Sequence, residues 1–287
     1  MMRGEANRWS AITAMAVVAV FAIVSGCSNE LMDVDVEESE PETQEDPDTY
    51  TVALDRQGGS GGTTSVTVTL GQPMPFAMAP VKAGASFGGY YTGLYGTGTQ
   101  YYTAAMVSAR NWDLPVDTEL IAQWIYIGGP GPAGGIVFYD KGEYSDGWRY
   151  LEAAPASTEW TLTPWGGNGT LVGGTGTGIG TGAANTQAIV AAYGDEEPDA
   201  DRDDYAAKLA ADLSYGGYDD WFLPSRDELD LMYENLYVEG LGGFAAAWYW
   251  SSSESDADYA YGQRFHDGDQ YHADKGFEGR VRAARAF

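Results

Sequence analysis

The sequence predicts an α+β fold, and three observations predict it. Runs such as Tyr50-Thr-Val-Ala-Leu54 and Ser65-Val-Thr-Val-Thr-Leu70 alternate apolar and polar residues with the period of a strand. Ser225-Arg-Asp-Glu228 has the form of a capping box, and Leu229, Met232, Tyr233 and Leu236 after it share one face of a helix. The 287 residues include 39 glycines, 20 tyrosines and 9 tryptophans, the composition of a loop-rich fold studded with aromatics. Apolar residues make up 44% of the chain, enough to bury a core and to exclude disorder throughout.

Charge and rare residues narrow the function classes. Fifteen Lys and Arg stand against 42 Asp and Glu, a net charge of −27. Such a chain repels nucleic acid and anionic headgroups, so neither is an expected partner. One cysteine excludes an internal disulfide, a thiolate zinc site and a Cys-x-x-Cys redox pair. Two histidines exclude a three-histidine metal site. No cofactor is expected.

Residues 1–27 read as a secretory leader. Arg3 and Arg8 precede the charge-free stretch from Ala11 to Val24, too short for a span of about 20 residues but right for a signal-peptide core. The run Val24-Ser25-Gly26-Cys27 resembles the bacterial lipobox. The resemblance implies cleavage before Cys27 and acylation, palmitate included, of its sulfur and the new N-terminus. The membrane would then be a partner through the N-terminal lipid. Ser28 after the cysteine points to the outer membrane or cell surface. Residues 28–49 hold ten acidic residues, no basic residue and no aromatic, and read as a self-repelling, disordered tether.

Residues 50–124 read as a small β-rich module. The two alternating runs flank Gln57-Gly-Gly-Ser-Gly-Gly62 as a hairpin with a long loop. Gly71 and prolines 73, 75 and 80 break the pattern, and Ser86–Tyr91 and Thr118–Trp124 supply further strands. The order YTVALDRQGGSGG, VTVTLGQPMP, APVKAGASFGGYYT, TQYY and SARNWDLPVDTELIAQW resembles the Listeria–Bacteroides repeat, or internalin B-repeat. The resemblance implies a β-grasp-like fold used as a stalk or in host contact. Trp112 and Trp124 are read as core.

Residues 125–287 read as the main domain. Ile136–Tyr139 and Asp146–Glu152 form a hairpin, Gly166–Gly182 is almost all Gly and Thr, and helices follow near Asn185–Ala192, at Tyr205–Leu213 and after Ser225. Trp248–Ser251 is a strand, Tyr259–Phe265 and Tyr271 onward form a hairpin around Asp267-Gly268, and Gly279–Phe287 is one final strand. The motifs GGIVFYDKGEYSDGWRYLEAAP, GTGTGIGTGAANTQAIV, GGYDDWFLPSRDELDLMY, YWSSSE and VRAARAF resemble the C-terminal domain of Legionella collagen-like adhesins, the Lcl C-terminal family. The resemblance implies a C-type-lectin-like α+β domain and, from the named adhesin, binding of sulfated glycosaminoglycans. Two departures bear on that. Ala210 and Ala211 stand where members often carry Cys, and the domain holds 27 acidic against 10 basic residues.

Candidate chemistry is sparse. Gly176, Gly178, Gly180 and Gly182 lack the spacing and the lysine of a phosphate loop, so the Gly/Thr run is read as structural. Asp199, Asp201 and Asp203 have calcium-type spacing, but Asp204 replaces the EF-hand glycine and Ala210 the bidentate glutamate. A tight turn pairs residue 266 with 269 and 272 with 263, which puts His266 and His272 on opposite faces and argues against zinc. Asp219, Asp220 and Trp221 are the ligand-binding candidates; the paired carboxylates could serve acid–base work on a glycan, but are read as orienting the turn before Trp221. Arg280 and Arg282 share a strand face with Arg285 on the other, and at least one pairs with an internal acid. The chain is thus expected to be a surface-anchored, non-enzymatic binding or adhesion protein for a glycan, the extracellular matrix or a host protein. The alternatives are a structural envelope protein and a glycan-active hydrolase.

Overall fold

The computed structural model describes residues 48–194 and 204–287. Cys27 and the Asp199, Asp201 and Asp203 array lie outside the described residues. The fold is mixed but mostly β, with few helices. The turn-rich, aromatic sequence leaves few stretches of helical period, so the helices are short: α1 Gly182–Tyr193, α2 Ala206–Ala211 and α3 Arg226–Met232.

The first sheet contains β1 Thr49–Asp55, β2 Ser65–Thr69, β3 Ser86–Tyr91, β4 Gln100–Thr103 and β5 Thr118–Ile125. Its order is β2-β1-β5-β3-β4, with β1 and β5 parallel. The β1–β2 hairpin pairs Thr49 with Thr69 and Ala53 with Ser65, so Val52, Leu54 and Val68 turn inward together. Trp112 and Trp124 pack into this core, as expected, with Tyr90, Tyr101 and Tyr102. The Trp124 indole N–H donates to the Arg56 carbonyl at 2.9 Å.

Two further sheets form the rest. β6 Ile136–Ser145 and β7 Trp148–Ala153 make the expected hairpin, and β13 Ala284–Ala286 joins it in the order β13-β7-β6. β8 Trp160–Thr163, β9 Trp248–Glu254, β10 Tyr259–Arg264, β11 Gln270–Asp274 and β12 Gly279–Val281 assemble as β11-β10-β9-β12-β8. Trp248 and Trp250 point to one core with Trp165 and Val281; Tyr249 points to the other with Phe265 and Leu229. The strand period of two divides the aromatics of β9 between the two cores.

The capping box forms as its residues require. Ser225 Oγ accepts from the Glu228 N–H, and the Glu228 carboxylate accepts from the Ser225 N–H at 2.7 Å. Leu229, Met232 and Leu236 are buried on the predicted face.

Two expectations are corrected. Gly279–Phe287 is not one strand: it breaks at Arg282–Ala283, and β12 and β13 belong to different sheets. The buried Arg282 side chain donates to the carbonyls of Ala154 and Gly242 and pairs with Glu159, which ties the chain down between the sheets. The β10–β11 register is displaced by two residues, so Gln263 faces Gln270 and Tyr261 faces His272. Phe265 causes this: it is fully buried among Tyr233, Tyr237, Phe244 and Tyr249, so the turn begins early and closes with Arg264 N–H on the Asp269 carbonyl.

Candidate functional site

α1 places Asn185, Ile189 and Tyr193 in the interior and leaves Ala183, Gln187, Val190 and Ala191 on another face. That set, half-buried at Ala183 and Val190 and exposed at Gln187 and Ala191, has the spacing of a single helical stripe. It forms one wall of a cleft of about 600 Å³, within the range of small-ligand sites. The segment Asp219–Phe222 supplies the opposite wall, with Ala211 and Ala286 completing it. Phe222 is held by reciprocal backbone bonds with Ala284 at 2.9 and 2.8 Å.

All three ligand-binding candidates from the sequence, Asp219, Asp220 and Trp221, therefore line one cleft. Their roles differ. Trp221 is almost fully buried and its indole N–H reaches the Tyr215 carbonyl at 3.3 Å, so it supports the wall. Asp220 accepts from Arg285 Nε at 2.5 Å while its side chain stays half exposed. Arg285 is fixed in turn by Glu152 at 3.0 Å and by the Tyr218 ring, 3.6 Å from its guanidinium carbon. Asp219 is exposed, and among the described residues its carboxylate has no hydrogen-bond partner. Sequence reasoning missed the α1 stripe. Its spacing was readable, but which helix face stays uncovered is decided by the packing of α2 and β9.

Beside the cleft, the Gly/Thr run is clasped along its length. Glu254 accepts from the N–H groups of Val172 and Gly173 at 2.8 and 2.7 Å. Asn185 exchanges two hydrogen bonds with Gly176, and Ser253 Oγ donates to the same carbonyl. Ser225 Oγ donates to the Gly178 carbonyl, and Glu228 accepts from the Gly180 N–H at 2.8 Å. A side chain on Gly182 would collide with Glu228 and Phe222. The amides of Val172, Gly173, Gly176 and Gly180 are thus spent inside the protein, which supports the structural reading. Burial pushes the Glu228 carboxyl above its usual range, against the opposing pull of its N–H donors. Burial does the same to Glu152, opposed by Arg285.

The basic side chains are consumed in the same way. Among the described residues, every Lys and Arg except Arg56 and Lys82 ion-pairs with a carboxylate. Arg280 and Arg282 converge on Glu159, which also accepts from Tyr249 Oη at 2.8 Å. Arg56 donates to the Gly61 carbonyl, and Lys82 donates to the Gln57 carbonyl while sitting over the Trp124 ring. His266 lies in the turn, 3.0 Å from Asp267, and His272 on β11, 3.3 Å from Ser255 Oγ. No group of three or more metal-ligating side chains occurs among the described residues. No helix among them is long and apolar enough to cross a membrane.

The cleft, but not the Gly/Thr loop beside it, falls within a segment similar to a known domain family. Residues 183–285 match the family model of the Lcl C-terminal domain. The match spans α1 to β13 and contains every cleft residue named above except Ala286. Among solved structures, a fimbrial protein from Bacteroides ovatus is similar at 11% identity and a TM-score of 0.40, over 83% of this chain and 70% of that chain. No curated protein matches the chain.

Proposed function

We propose that this is a cell-surface lipoprotein with an adhesive or structural role and no catalytic activity. The observation that carries the reading is the Lcl C-terminal match over 183–285, a domain type consistent with the cell surface. Acylated Cys27 would anchor the chain in the envelope. Residues 50–124 would act as a B-repeat spacer; their mixed sheet, with β1 and β5 central and parallel, supports a β-grasp-like reading. The main domain would be a C-type-lectin-like binder of a glycan or the extracellular matrix.

The ligand departs from that of the named adhesin. The cations available to meet a sulfated polyanion are already paired with the protein's own carboxylates, and the chain carries −27. A neutral or cationic ligand fits this surface, and a polyanion does not. The reading is tested with the purified protein on arrays of neutral and sulfated glycans and on immobilised matrix proteins, with and without calcium. Binding to matrix or neutral glycans supports it. Silence on every surface, with intact association to envelope proteins, favours the purely structural alternative.

A further inference from the structure

We infer that the α1 cleft binds a lysine- or arginine-bearing peptide segment, its apolar walls taking the aliphatic stem and its acidic rim the charged head. This deepens the adhesive reading and rests on it only for biological setting.

The cleft has two chemically distinct parts. Its walls are mostly apolar, made by Ala183, Val190, Ala191 and Phe222, with Thr186 and Gln187 among them. Its rim carries Asp219 and Asp220, and no Lys, Arg or His lines it. Long basic side chains suit such a division, because their methylene stems bury while the charged end stays at the wet edge. The rim is also prepared for a cation. Asp220 is held in place by Arg285 through one oxygen, Oδ1, and Arg285 is neutralised by Glu152 from behind. Asp219, beside it, is exposed and unpaired among the described residues. A guanidinium or ammonium arriving there meets a carboxylate whose charge no internal base has cancelled. The strongly negative chain adds a long-range attraction for basic ligands and a repulsion for acidic ones. A neutral sugar would leave the Asp219 charge unanswered, and the buried Trp221 gives it no ring face to stack on.

The test uses the purified full chain and three capped peptides of one sequence, bearing lysine, acetyl-lysine or norleucine at the centre, with affinities measured by calorimetry. Lysine should bind at least about tenfold more tightly than acetyl-lysine, and its advantage should shrink as salt rises past about 0.15 M. Asp219→Asn should weaken the lysine peptide several-fold and leave norleucine unchanged. Ala191→Trp, on the exposed wall, should weaken both. Asp267→Asn, on the β10–β11 turn and not part of the cleft lining, should change neither. Equal affinity for lysine and acetyl-lysine would overturn the inference, as would an equal loss from Asp267→Asn, which would mean attraction by the general field. Displacement of the lysine peptide by neutral oligosaccharides would overturn it in favour of a glycan. Lysine-peptide binding without any matrix adhesion would leave the cleft assignment standing and remove the adhesive reading; adhesion without peptide binding would do the reverse.

Discussion

Lys275 and Glu254 form an ion pair sealed inside the protein, Nζ 2.7 Å from Oε1, and the Gly/Thr loop is what closes over them. Lys275 also donates to the Thr170 carbonyl at 2.7 Å and sits 4.7 Å from the centre of the Trp165 ring. Glu254 completes the clasp through Val172 and Gly173. Removing one partner strands the other charge where water cannot reach it. Lys275→Met should therefore destabilise the protein by about 3–5 kcal/mol, and adding Glu254→Gln should recover part of that loss. Urea unfolding checks both; a single-variant loss within about 0.5 kcal/mol would show that the pair is not coupled to the loop.

Glu228 gives the second prediction. Its folded pKa lies above the unfolded value because burial penalises the carboxylate. Its contribution to stability is thus fullest below the unfolded pKa of about 4.3 and declines as pH rises through the folded value. Glu228→Gln should cost about 1–3 kcal/mol at neutral pH, since the amide nitrogen cannot accept from Gly180 or Ser225. The gap between wild type and variant should widen as the pH falls from neutral toward 4.3. A gap that is constant across unfolding curves in this window would contradict the assignment.

Heparin should be a poor ligand. Arg280 and Arg282 both face Glu159, and Arg285 is divided between Asp220 and Glu152. Any retention on a heparin column should vanish at about 0.15 M ionic strength. Firm retention there, lost in the Arg280→Ala, Arg282→Ala double variant, would restore the sulfated-glycosaminoglycan reading.

The anchor is tested in cells. Cys27→Ser should shift the protein from the membrane fraction to the soluble fraction while leaving its folded part intact, because the acyl chains supply the hold. A variant that still pellets with membranes and resists a salt wash counts against the lipobox reading.

What was legible in the sequence was short-range. The period of two placed β1 and β2 almost to the residue, apolar runs placed β3 and β5, and Ser225 and Glu228 announced the start of α3, because capping partners sit three residues apart. Asp219, Asp220 and Trp221 stood out as candidates for the same reason: an acidic pair beside an aromatic is visible without a fold. The alternation argument failed where a distant group outweighed the local pattern, at Arg282 and at Phe265.

By itself, then, the sequence determined the phases of β1 and β2, the start of α3, the Gly/Thr run and an acidity that disfavours polyanions. Tertiary structure alone decided that Arg280 meets Glu159, 121 residues upstream, that the last strand divides between two sheets, and that the free stripe of α1 faces Asp219 across a cleft. The physical reason is the range of the forces involved. Periodicity, caps and turns are settled by neighbours a few residues away. The pairing of buried charges and the opening of a cleft depend on which sheet edge meets which helix, and that follows from packing the whole chain.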